Sequence, residues 1–165
     1  MQVHGLLLRF PKELKLLITA FVITLNVGFF TGISFVNATS TFQSKGVETN
    51  YLGNEDDEEA EEMQFKKSRK EILTLIHNHI LSMSLIFLLL GGILSLTAMN
   101  KKLKLILMFE PFISILLTFG GIYVLWSGVI WFKYIIIFSG IAMVLSFVLA
   151  SVFILKESLF ARNSN

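Results

Sequence analysis

The sequence predicts an all-α protein: an integral membrane four-helix bundle with one exported acidic loop between helices 1 and 2. Three observations carry that prediction. Four apolar stretches each reach the roughly 20 residues that a helix needs to cross about 30 Å of hydrocarbon. Hydrophobic residues make up 54% of the 165 positions and charged residues only 16%. Eight of the twelve acids are confined to residues 48–62. A soluble domain of this size would leave wide apolar faces in water, each costing about 25 cal/mol per Å². Lipid accommodates those faces, and backbone groups in lipid must be satisfied within the segment, which makes each stretch a helix.

The first span is expected at residues 14–36. A basic start followed by an apolar run also describes a signal peptide, and Val36-Asn37-Ala38 has the look of a cleavage site. The run of some 23 residues exceeds the usual signal core of about 7–15, so we read an uncleaved anchor. Ahead of it, residues 6–10 with Arg9 are expected along the interface, and Pro11 suits a helix start. Residues 37–67 are expected as an acidic extracytoplasmic loop, locally disordered where the run EDDEEAEE repels itself. That run lacks the spaced ligands and glycine of a calcium-binding EF-hand loop. Ser68-Arg69-Lys70-Glu71 has the spacing of a capping box and should open the second helix one turn before its apolar stretch, residues 72–99. The third and fourth spans are expected at residues 103–126 and 134–155.

Lys and Arg near the span ends set the orientation. Eight fall on the side holding Arg9, Lys101 and Lys156, and six on the side holding Lys45, the 66–70 cluster and Lys133. The larger number and the acidic loop opposite place both termini in the cytoplasm. A net charge of +2 gives no reason to expect nucleic acid, and the absence of cysteine excludes thiolate chemistry and disulfides. No nucleophile–base pair, phosphate loop or dinucleotide fingerprint is present, so an enzyme has no positive support.

Projection at 3.6 residues per turn gives every span a small or polar stripe. Thr24, Gly28 and Thr31 align in the first, with Gly28 and Gly32 in a small-xxx-small pair. His77, Ser84, Gly91 and Ser95 align in the second. Glu110, Ser114, Thr118 and Gly121 align in the third, beside Gly120. Ser139, Met143, Ser146 and Ala150 align in the fourth. These stripes are expected to face one another. Their plainest role is to let backbones approach.

Two places carry chemistry. Glu110 lies about 10 Å inside the third helix at 1.5 Å per residue. A carboxylate there costs several kcal/mol unless it is protonated, paired or open to water. With Ser114 it is a candidate proton or ion site, for which Gly91 and Gly92 on the second helix would leave room. The competing reading is a neutral carboxyl in a local hydrogen bond, or one snorkelling to the cytoplasmic interface. His77 and His79 point some 200° apart, so one regular helix cannot turn both onto one metal. His77 on the stripe, with His79 and Met83 nearby, is a candidate cofactor site: a haem b ligand, a quinone contact or a proton relay. Haem would need a second ligand, from Met63, Met83, Met143 or another copy of the chain. The competing reading is a set of interfacial polar anchors.

Tyr51-Leu52-Gly53-Asn54-Glu55, Met63-Gln64-Phe65-Lys66-Lys67-Ser68, Glu71-Ile72-Leu73 and His77-Asn78-His79 resemble small four-span inner-membrane proteins of Gram-negative bacteria. The resemblance implies architecture and location, a multi-pass protein of the cell inner membrane, with no activity to transfer. The expected partners are the lipid bilayer and other membrane subunits or further copies of the chain. The leading expectation is a non-enzymatic accessory subunit of a membrane complex. A small proton-coupled transporter or channel using Glu110 is the alternative, and a cation sensor built on the acidic run is the third.

Overall fold

Residues 4–40, 43–55 and 63–160 are described by the computed structural model. Six α-helices follow in order: α1 Lys12–Ser40, α2 Ser44–Leu52, α3 Arg69–Ser95, α4 Lys101–Ile115, α5 Gly121–Trp126 and α6 Phe132–Phe160. A 3-10 turn, Leu6–Arg9, precedes α1, and a π turn, Leu116–Gly120, joins α4 to α5. The described residues contain no strand. Taking α4, the π turn and α5 as one rod, four helices are long and apolar enough to span a membrane. The all-α bundle is therefore as expected.

The helix ends differ from the sequence reading, each for a local reason. The first helix runs past residue 36 because the hydroxyls of Ser34, Thr39 and Ser40 bond back to carbonyls one turn earlier. Such back-bonding satisfies a polar side chain without breaking the helix. The second span opens on the expected capping box: Ser68 Oγ accepts from the Glu71 amide, and the Glu71 carboxylate accepts from the Ser68 amide. It ends at Ser95 rather than 99, in a turn closed by Leu96 and Thr97 amides on Ile93 and Leu94 carbonyls. Pro111 sits inside α4, where it removes the donor that the Leu107 carbonyl would have used.

The expected loop after the first span is partly a docked cap. Val47 of α2 is buried and Tyr51, one turn on, packs against the core. At only 9 residues and with mixed polarity, α2 is too short for its periodicity to stand out. It stops at Gly53, whose φ of 82° favours glycine; a Cβ there would lie 2.7 Å from the Gln64 oxygen and the Lys66 nitrogen. The chain then returns alongside itself. Asn54 N donates to Gln64 O, Gln64 N donates to Asn54 Oδ1, and Lys67 N donates to Tyr51 O. Lys133 of α6 closes the cap with an ion pair to Glu48 at 2.6 Å. Residues 56–62, most of the acidic run, lie outside the described residues.

Burial pushes the Tyr51 phenol up to about 12 from its ordinary 10.0. The raised value means that cap stability is complete below pH 10 and is lost as pH rises through about 12. In an alkaline absorbance titration, one of the three tyrosines should ionise late, together with loss of helical signal. A Tyr51→Phe chain should show no late step.

Of the apolar windows, 39% of the third and fourth spans is buried within the chain, against 17% and 11% of the first and second. The inner pair is therefore α4–α5 with α6. Between the outer helices and this pair lies an aromatic knot. The Phe147 ring stacks on Phe29 of α1 at 3.8 Å and meets Phe87 of α3 edge-on at 6.0 Å.

Two of the four predicted stripes point inward. Ser114, Thr118 and Gly121 in the third span are buried, as are Ser139, Met143, Ser146 and Ala150 in the fourth. The first-span stripe is turned away and the second-span stripe is divided. Thr24, Gly28, Thr31 and Gly32 are exposed on α1, whose buried face is Lys15, Ile18, Thr19 and Val22. On α3, His77 is exposed and Ser84, Gly91 and Ser95 are half-buried, while Ile72, Phe87, Leu90 and Leu94 are buried.

Candidate proton site between the third and fourth spans

Hydroxyls on the spans fall into two groups. Thr19, Thr31, Ser82 and Ser158 each donate to the carbonyl four residues earlier on their own helix. Ser114 and Ser146 do not. Ser114 Oγ donates to Glu110 Oε1, and Ser146 Oγ, from α6, donates to Glu110 Oε2. The carboxyl group thus accepts from two helices, and the α4–α6 pairing positions it. Both serines are buried, with exposures of 3% and 5%, and Glu110 is half-buried.

One turn further along, Thr118 Oγ1 lies 2.7 Å from Ser139 Oγ. Ser139 donates its own proton to Ile135 O at 2.7 Å, so Thr118 is the donor between them. Thr118 belongs to the π turn, where the backbone winds by i→i+5 steps. Glu110, its two serines and this threonine–serine pair form a polar seam along the α4–α6 contact.

The remaining predicted residues are spread around the bundle. Gly91 faces Met108, 3.8 Å from a Cβ position, and not Glu110; Met108 and Glu110 point to different sides of α4. Gly121 packs tightly on Ile136 and Phe132, with a Cβ position 3.0–3.1 Å from them. At Gly28, Gly32, Gly92 and Gly120 a Cβ would meet nothing within 4 Å among the described residues.

His77 faces away from the bundle. His79 bonds Leu75 O through Nδ1 at 2.8 Å and lays its ring on Phe119 at 4.8 Å. Met83 packs against the core, Met143 is buried in α6, and Met63 is exposed before α3. His77 and the buried Met143 thus lie apart from His79, while Met83, one turn on from His79, shares its side of α3. Among the described residues no group of three His, Asp or Glu converges as a metal site.

Sequence reasoning missed two lysines. Lys104 Nζ donates to Ser95 O at 3.0 Å and to Thr97 O at 2.5 Å, and Lys15 Nζ donates to Leu8 O at 2.9 Å. Both are buried at the bundle end where the carbonyls of α3 and of the 3-10 turn run out of partners. The available signal was spacing: Lys104 shares its helix face with the buried Leu107 and Pro111.

The model of the family Aq_1264_TM, a transmembrane helical domain, matches residues 41–165. The chain belongs to the Aq_1264_TM family. The matched residues of this Aq_1264_TM member take in α2 to α6, and so the cap, the seam and three of the four spans; α1 precedes them. The chain is a multi-pass transmembrane helical protein in contact with the bilayer, in accord with the resemblance drawn from its motifs. No curated protein and no solved structure matches it.

Proposed function

We propose that this chain is a small proton-linked membrane protein, of transporter or channel type, whose titrating group is Glu110. The observation that supports the reading is the pair of serines, one from each inner span, that give their protons to this carboxyl instead of to a backbone carbonyl of their own helix. A carboxylate accepts both. Once protonated, it must donate in one direction, and the displaced serine can turn its hydroxyl to the carbonyl one turn back at little cost. Proton uptake then rotates one hydroxyl at the contact of two helices while the backbone stays intact. Proton flux into liposomes driven by a pH gradient tests this, with Glu110→Gln as the decisive variant.

A second reading, an accessory subunit of an inner-membrane complex with both termini cytoplasmic, is supported by a different observation. The first helix leaves Gly28, Thr31 and Gly32 uncovered beside a shallow groove of about 480 Å³, lined in part by Ile23, Asn26, Phe30 and Ser34. The sequence has no cysteine, so Gly28→Cys introduces the only thiol. Oxidative cross-linking in native membranes should then capture a neighbouring subunit through that position. A chain that stays monomeric at Gly28 and at Gly32 removes this reading.

A further inference from the structure

The two ends of the bundle differ in charge. The first, formed by the 3-10 turn, the start of α1, the α3–α4 turn and the end of α6, carries seven described cations against two carboxylates, Glu13 and Glu157. At the other end the described residues carry three carboxylates, Glu48, Glu55 and Glu71, against six cations, Lys45, Lys66, Lys67, Arg69, Lys70 and Lys133, the last paired with Glu48.

The first end is also built to hold its charges in place. The turn Thr97–Asn100 is its hub. Gly5 N donates to Thr97 O and Leu7 N donates to Leu96 O, which fastens the 3-10 turn to it. Glu157 of α6 takes the Ala98 amide with both carboxylate oxygens, at 2.7 and 3.0 Å. A Cβ on Gly5 would sit 3.7 Å from the Ala98 side chain, so all three elements meet at this one residue. Lys15 and Lys104 are turned inward onto backbone carbonyls. Arg9, Lys12, Lys101, Lys102 and Lys156 remain, all exposed, and none has an ion-pair partner among the described residues. Leu8, 36% exposed, stands among them as an apolar contact.

We infer that this five-cation collar is a binding surface for anionic phospholipid headgroups. The occupant follows from charge and place. The cations ring the ends of apolar spans, where a lipid phosphate lies at the same level as an ammonium or guanidinium group. Of the two carboxylates at this end, Glu157 is already engaged with the Ala98 amide. The collar does not depend on the reading of Glu110.

Electron paramagnetic resonance of spin-labelled phosphatidylglycerol and phosphatidylcholine measures the preference directly, with the full chain in phosphatidylcholine vesicles. The wild-type chain should favour phosphatidylglycerol about fivefold, the factor that one cation near an anionic surface provides. Replacing the five collar residues with glutamine should abolish the preference. The charge-conserving set R9K, K12R, K101R, K102R and K156R should keep it, as should K66Q, K67Q, R69Q and K70Q at the other end. Moderate salt should weaken the wild-type preference. No wild-type preference, or a loss caused equally by the substitutions at the far end, overturns the assignment. Circular dichroism of each variant separates lost binding from lost folding.

Discussion

Proteoliposomes carrying Glu110→Gln should pass no more protons down a pH gradient than protein-free vesicles, while the variant keeps its fold. Glutamine preserves the shape of the side chain and one good acceptor, but it cannot gain or lose a proton near neutral pH. Ser114 and Ser146 lose one shared acceptor between them. The serine left over can turn to the carbonyl of its own helix, as Thr19 and Ser139 already do. The stability penalty should therefore stay near 1 kcal/mol, the size of a single hydrogen bond. Interhelical hydrogen bonds in bilayers are commonly weaker still, averaging about 0.6 kcal/mol. Loss of flux with a nearly unchanged melting temperature is the expected pairing. Flux equal to the wild type ends the proton-linked reading, and so does a wild-type chain that moves no protons.

Truncation of Phe147 should produce the largest loss of stability of any single substitution in the bundle. Its ring is fully buried, stacked on Phe29 and in edge contact with Phe87. It is the point where α1 and α3 are both held to α6. In water a Phe→Ala change in a core costs about 3–5 kcal/mol. In lipid the water-transfer part of that cost is absent and packing remains, so about 2–3 kcal/mol is expected. Thermal unfolding in mild detergent measures it. Phe138→Ala removes the same side chain from the same helix at a position 75% exposed, and should change stability by less than about 0.5 kcal/mol. Equal shifts from the two variants would show that the aromatic knot does not hold the bundle.

The spans were legible in the sequence because length and hydropathy are strong signals. The capping box at Ser68 was legible because it is a local code. Facing was legible only for the third and fourth spans. There Ser139 and Ser146 bond a partner on the neighbouring span and Ser114 shares the Glu110 carboxyl with Ser146, contacts that only an inward position gives. On α1 the same rule misled. Thr31 and Ser34 satisfy themselves on Val27 and Phe30 carbonyls, so lipid exposure costs them little. Aromatic rings meanwhile took the inward positions. In hydrocarbon a leucine gains nothing by burial that it does not already have outside. Leu81 and Leu88 could therefore face outward on α3 while Phe87 faced in. The cap was hidden for another reason. Its stability lies in pairings between distant residues, such as Trp126 Nε1 donating to Lys67 O at 2.8 Å, which no local pattern reports.

Ala98 has a consequence for the chain as a polymer. Residue 5 and residue 157 both touch it, so the polypeptide leaves and returns to nearly the same point and traces an almost closed ring. A short peptide joining residue 5 to residue 157 would ask little of the folded form. The same bridge would take from the denatured coil much of the freedom it has to spread its ends apart.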